Sequence, residues 1–356
     1  MPEPALRVAL VLGASTGGIG RHVASLAPRL AARGHRVTVY APAVSIAAHG
    51  LTALGVEVRP LSGLARLREV DVVHAHGYQP GVLALALARR RRRPLVVTWH
   101  NAVLGTGAAA RAGRLLQRVV ARGADLTLGA SSDLVAEAVR RGARRAELAP
   151  VAAPALDPPR TPPQQRRAGL GLGPDGVLVL SVSRLAPQKN LGLLLDVAAA
   201  LRDRPDITFA VVGEGPLGDD LAARIAAQDL RVRLLGRSDD VASWYAAADL
   251  ALLTSTWEAR ALVAQEALLA GVPLVSTRVG GMAELVGDAA VLVDPTDAAS
   301  AADAIRALAD DPQARRRQAD AGRQRAVSWP DEDAVVDDLV TRYREALRLA
   351  ARRFLH

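Results

Sequence analysis

Residues 177–201 read VLVLSVSRLAPQKNLGLLLDVAAAL. An aliphatic run, a short polar loop and an apolar helical pattern follow one another. A strand apolar on both faces belongs in a parallel sheet covered by helices on both sides. Open sheets of this kind bind ligands beyond the carboxyl ends of their strands. Arg184 leaves the strand end and Lys189 enters the helix start. Lys189 is the one lysine among 45 Lys and Arg in 356 residues. Lysine is a compact point charge suited to a phosphate, and arginine is a bidentate fork. The two together near a helix start suit a diphosphate.

The same alternation runs outward in both directions. Strands are expected at 6–13, 36–41, 56–61, 71–76, 94–100 and 125–130, with helices at 20–33, 79–90, 107–122 and 132–141. It restarts with strands at 177–183, 207–213, 231–236, 249–254, 273–277 and 289–293. Long helices at 298–327 and 331–353 follow. Between the halves, residues 154–174 carry six prolines and three glycines and read as a linker without regular structure. One core rarely grows past about 250–300 residues, so two α/β domains are expected. They are residues 1–153 and 175–330, with a terminal helix at 331–356 and a ligand cleft between the domains.

Composition narrows the chemistry. The chain has no cysteine, which excludes disulfides, thiolate nucleophiles and cysteine-ligated zinc. The apolar start, PALRVALVLGAS, is too short for a signal peptide, and no run approaches the roughly 20 apolar residues of a membrane span. The net charge of +9 is uneven. Residues 1–167 hold 24 Arg against 9 Asp and Glu, and the remainder holds 21 Lys and Arg against 27 Asp and Glu. The run Arg89–Arg93 suits an anionic surface such as a cytoplasmic membrane face. Nucleic acid is not expected, since the arginines lack interleaved aromatics and a reading module.

Three further stretches carry candidate chemistry. GASTGGIGRH (13–22), with Gly17 and Gly18, follows the first strand and opens a helix that can present N–H groups to an anion. It is not a dinucleotide fingerprint, because no acidic residue ends the second strand. In STWEARALVAQEALLAGVPLVSTRVGG (255–281), Glu258 and Glu266 stand eight residues apart, beside and along a helix expected to start near 260. The backbone N–H groups of Arg260, Ala261 and Leu262 are expected to face an anion there. Carboxylates flanking a phosphate site suit the hydroxyls of a sugar nucleotide. His74 and His76 are expected to alternate across their strand, so that at most one faces the ligand. His100 ends another strand, and Trp244 and Tyr245 are read as packing.

Taken in order, GGIGRH, HAHG (74–77), TWH (98–100), SRLAPQKN, VGEGP (212–216), LLGRSDDVASWYAAADLALLTS and the block ending GVPLVSTRVGG resemble the retaining glycosyltransferases of family 4, actinobacterial type. The resemblance implies the GT-B fold, two Rossmann-like domains with the terminal helix crossing back to the first. It implies transfer of a sugar from a nucleotide-diphosphate sugar, of UDP-glucose or GDP-mannose type, to an acceptor hydroxyl on a glycan or lipid-linked sugar. It implies that no cofactor and no metal are needed. Arg184 and Lys189 would hold the diphosphate, Glu266 the ribose, and Glu258 the sugar hydroxyls with the backbone near Ala261 and Leu262. Gly213, Glu214, Gly215 and Arg237 would lie near the base, Gly17 and Gly18 would let the first domain approach the donor, and His100 would sit near the reacting carbon. The resemblance places the protein in the cytoplasm, peripheral to the membrane. Two departures stand out: Ala259-Arg260 where Gly-Phe or Ser-Phe is common, and VAAPALDPP at the hinge. An epimerase or phosphorylase of the same fold, or a non-catalytic binder, would share these motifs.

Overall fold

The computed structural model describes residues 4–66 and 69–354. The chain divides into two compact units. The first comprises residues 1–154 and 330–356, the second residues 155–329.

The first unit holds β1 (Arg7–Leu12), α1 (Gly18–Ala32), β2 (Arg36–Ala41), α2 (Ala43–Ala48), β3 (Glu57–Pro60), β4 (Val72–His76), α3 (Tyr78–Arg91), β5 (Leu95–Trp99), α4 (Ala108–Gly123), β6 (Leu126–Gly129), α5 (Ser132–Arg140) and β7 (Ala146–Leu148). The second holds α6 (Pro163–Gly169), β8 (Val177–Val182), α7 (Leu191–Ala200), β9 (Ile207–Val212), α8 (Gly218–Ala227), β10 (Val232–Leu234), α9 (Val241–Ala247), β11 (Leu250–Leu253), α10 (Leu262–Leu269), β12 (Leu274–Thr277), α11 (Met282–Val286), β13 (Val291–Val293), α12 (Ala298–Asp310) and α13 (Pro312–Val327). The last helix, α14 (Glu332–Phe354), returns to the first unit.

Both sheets are parallel, ordered β3-β2-β1-β4-β5-β6-β7 and β10-β9-β8-β11-β12-β13. Each therefore reverses direction once, between β1 and β4 in the first and between β8 and β11 in the second. Such a reversal opens a crevice at the strands' carboxyl ends. Aliphatic side chains on both strand faces drive the layering. In the second unit Val177, Val179, Phe209 and Val211 pack toward α7 and α12, while Leu178, Leu180, Ala210 and Val212 pack toward α9 and α10. In the first unit Val336, Leu339, Val340, Tyr343 and Ala346 of α14 join the core of β1, β2 and α1.

Four expectations change. Residues 154–174 are not an unstructured linker: they contain α6, and all but Pro154 belong to the second unit. Pro163 occupies the first helical position, where a missing N–H costs nothing. Arg166 and Arg167 then pair with Asp240 and Asp249 at 2.9 and 2.7 Å, and Leu156, Leu170 and Leu172 pack on the core. The helix expected over 298–327 breaks in two, because Asp311 caps α13 by accepting from the N–H groups of Gln313 and Ala314 and Pro312 follows it. The helix expected to start near 260 begins at Leu262. The three-residue edge strand β7 is too short and half-exposed to show a period.

Candidate functional site

At the reversal of the second sheet, β8 delivers Ser183 to Asn190 and β11 delivers Thr254 to Ala261. The first loop ends in a 3₁₀ turn, Pro187–Lys189, and Asn190 takes a left-handed conformation (φ 46°) before α7. The loop is fixed from one side by the turn after β9. A Cβ on Gly213 (φ 145°) would stand 1.9 Å from the Ser183 carbonyl oxygen, so only glycine permits this approach. The Leu185 N–H donates to the Glu214 carbonyl at 3.0 Å. Gly213 and Gly215 are partly covered, and the Glu214 side chain is exposed.

The second loop fixes it from the other side. Gln188 Nε2 donates to the Trp257 carbonyl (2.8 Å), the Thr256 N–H donates to the Gln188 carbonyl (2.8 Å), and Thr254 Oγ1 donates to the Lys189 carbonyl (2.9 Å). Lys189 Nζ then meets Glu258 Oε1 at 2.5 Å, with Ser255 Oγ donating to the same oxygen at 2.7 Å. The Lys189 and Glu258 side chains are 22% and 12% exposed. The resemblance gave Lys189 to the diphosphate and Glu258 to the sugar hydroxyls; the two side chains are in direct contact. The Glu258 carbonyl is held by the Gly281 N–H at 2.8 Å, and a Cβ on Gly280 (φ 49°) would strike it at 2.1 Å. Arg184 stands exposed at the start of this loop.

Glu266 lies deeper than its spacing suggested, at 1% exposure within α10. Tyr245 Oη lies 3.3 Å from its Oε2 and 3.1 Å from the Val263 carbonyl. Tyr245 thus ties the start of α10 to Glu266, a role beyond packing. The indole of Trp244 receives the Arg166 guanidinium at 4.5 Å. Because α10 begins at Leu262, with Ala261 as its N-cap, the N–H of Arg260 lies outside the first turn. The Arg260 guanidinium is turned over the Trp329 ring at 5.6 Å, and burial lowers its pKa to about 10. Arg237 is exposed beside Asp239 at 3.5 Å.

The first unit carries a different cluster at its own reversal. Gly17 caps α1 without a side-chain contact, Gly18 is the first helical residue, and the Ser15 hydroxyl accepts from the Gly20 N–H at 3.1 Å. His22 follows in the next turn of α1. His74 and His76 do not face opposite ways: residues two apart share a strand face, and their rings lie 4.2 Å apart between centroids. His76 Nδ1 is 3.1 Å from His100 Nε2. The His22 ring stands 5.6 Å from His76 and 5.5 Å from His100. His74 is fully engaged, with Nδ1 2.7 Å from Tyr343 Oη of α14 and Nε2 2.7 Å from Thr98 Oγ1. Burial holds His22 down to about 4 and His74 to about 3, with the His22 charge adding to the latter. His76 and His100 are likewise pushed well below the usual imidazole value, chiefly by burial. All four rings are neutral at neutral pH.

Gln188, Ser255, Tyr245 and His22 therefore join the residues that the sequence singled out. Serine and threonine directly after an apolar strand, as in LLTST (252–256), were the available signal for Ser255.

Each unit contains a match to a known sequence family. Residues 164–325 match the glycosyl transferases group 1 and residues 17–154 the glycosyl transferase 4-like domain. The chain belongs to this family of GT-B glycosyltransferases. It is 33% identical to a D-inositol 3-phosphate glycosyltransferase of Frankia alni, over 94% of this chain and 96% of that protein. It is 31% identical to a glycogen synthase of Mycobacterium tuberculosis, over 93% and 92%. Among solved structures, HepE of Anabaena in complex with UDP and glucose superposes with a TM-score of 0.84, at 22% identity, over 96% of this chain and 100% of that one. That protein has also been solved with UDP-glucose.

Proposed function

We propose that this glycosyltransferase moves a sugar from a nucleotide-diphosphate donor to an acceptor hydroxyl with retention of the anomeric configuration, and that the second unit holds the donor without a metal. The observation that carries this reading is the Lys189–Glu258–Ser255 contact at the sheet reversal, beside the exposed Arg184. The Lys189 ammonium has three N–H donors, and one points at Glu258. The other two are available to a diphosphate. With Arg184 they supply fixed positive charge where negative charge develops as the diphosphate departs, the form of electrostatic stabilisation expected to dominate such a step. Both hydrogen bonds to the Glu258 carboxylate fall on Oε1. Oε2 is then the oxygen that accepts from the donor sugar's hydroxyls, with the N–H groups opening α10 beside it. Glu266 is the ribose partner in this reading, oriented by Tyr245. Gly213, Glu214, Gly215 and Arg237 border the base. The first unit binds the acceptor.

The UDP and UDP-glucose complexes of HepE make a UDP-sugar the first donor to test. Thermal unfolding is measured with UDP-, GDP- and ADP-sugars. One is expected to raise the melting temperature, and a donor at a hundred times its Kd adds about 2.7 kcal/mol of stability. No shift with any donor would overturn the reading. The anomeric form of the product, read by NMR, tests retention.

We also propose that the first unit works against an anionic membrane surface. Arg89–Arg92 are exposed at the end of α3. The neighbouring α4 exposes Leu115 and Val119, at 59% and 40%, beside the exposed Arg111, Arg118 and Arg122. Apolar side chains rimmed by arginine suit an interfacial position. Among the described residues no helix is long and apolar enough to cross a membrane.

A further inference from the structure

The histidine cluster of the first unit exceeds what an acceptor hydroxyl requires. We infer that His22, His76 and His100 form a binding site for a single divalent transition ion of the zinc, nickel and copper class. One ring nitrogen from each lies within 4.8 Å of the other two, and all three residues are buried. His76 Nδ1 stands 3.1 Å from His100 Nε2, which leaves His76 Nε2 as that ring's unengaged nitrogen. Tetrahedral zinc with bonds of about 2.0–2.1 Å places its ligand nitrogens about 3.4 Å apart, so ring rotations that draw the set in from 4.8 Å complete it.

Three further observations point the same way. His76 Nε2 is buried with no hydrogen-bond partner among the described residues, and an unsatisfied buried nitrogen is costly. His74 supplies the supporting layer. Its two nitrogens are taken by Tyr343 and Thr98, so it cannot itself be a ligand, and its ring lies 4.2 Å from His76 and fixes that ring's position. A cavity of about 20 Å³ bordered by His22, His74, Thr98 and Asp338 lies behind the cluster, room for about one water molecule.

The donor set selects the ion. Three imidazoles suit zinc, copper and nickel, whereas magnesium and calcium take oxygen ligands. The site is thus distinct in kind from a magnesium on a diphosphate, and it lies in the other unit from Lys189. His22 and His100 keep 6% and 8% of their surface accessible, against 2% for His76. Three protein ligands leave a fourth position for an exchangeable ligand, as in open rather than closed zinc sites.

The full chain, stripped with a chelator, is titrated with zinc and with cobalt against a weak competing chelator. Metal content should reach one zinc per chain. Bound cobalt should show the intense visible bands of four-coordination rather than the weak ones of a six-coordinate ion. His22→Gln, His76→Gln and His100→Gln should each weaken binding at least about 100-fold, since even second-layer changes cost 10–100-fold. His35→Gln, outside the cluster, should leave it unchanged. Should a variant fail to fold, the wild-type stoichiometry and cobalt spectrum decide alone. No retention of zinc by the wild-type chain, six-coordinate cobalt, or undiminished binding in a folded triple variant would overturn the proposal.

Discussion

At the end of β8 and β11 a lysine meets a glutamate at 2.5 Å; at the end of β4 and β5, in a sheet of the same strand order, imidazoles meet one another. The first group is charged, partly exposed and held by hydrogen bonds between two loops. The second is neutral, deeply buried and held by the strands themselves and by a helix from the far end of the chain. One topology thus supports two electrostatic designs. Loops that project beyond the strands keep charge in reach of solvent, where its desolvation cost is small. Side chains on the strands lie inside the layer, where a charged form is disfavoured.

The contrast can be broken experimentally, and the largest effect is expected in the first unit. Ending the chain at Trp329 removes Val336, Leu339, Val340, Tyr343 and Ala346 from its core. Circular dichroism and proteolysis should show the first unit unfolded and the second intact. In the second unit, Lys189→Ala should lower turnover about 10²–10³-fold, the usual scale for removing one transition-state donor, with the melting temperature little changed. Lys189→Arg sharpens this test. A planar fork replaces a point charge beside Glu258, so the enzyme should fold and still lose at least about tenfold in kcat. Full activity in that variant would show that position, not ammonium geometry, matters there. Glu258→Gln should cost roughly 10–100-fold, the scale of one hydrogen bond to a charged group. The smaller effect returns to the first unit. Tyr343→Phe leaves a nitrogen of His74 unsatisfied and should cost about 1–3 kcal/mol in denaturant unfolding, without changing the donor shift. Smallest is the surface: replacing Arg89–Arg92 by serine should weaken binding to anionic vesicles, by about 1 kcal/mol per arginine, and salt should abolish the difference.

Sequence and structure agree best where chemistry follows directly from chain order. The alternation of aliphatic runs and helical patterns was enough for two α/β halves. Arg184, Lys189 and Glu258 stood out because each lies on a loop that follows a strand. What depends on tertiary placement was hidden. His22 comes from a helix more than fifty residues before His76, and Tyr343 from the other end of the chain. His74 and His76 were legible in principle, since period two puts them on one face. Proline-rich composition concealed α6, because Pro163 sits where a helix tolerates it. The depth of Glu266 followed from α10 starting at Leu262, a boundary set by packing rather than by the E-x7-E spacing.

The return of α14 to the first unit has a consequence for biosynthesis. Everything the second unit needs, residues 155–329, is translated before α14 begins. The first unit, although its strands emerge first, lacks part of its core and the hydroxyl partner of His74 until the final helix leaves the ribosome. Domains ordinarily fold in the order of synthesis. Here the later-made unit is complete first, and the earlier-made one waits on the nascent chain with apolar surface uncovered, where a chaperone would find it.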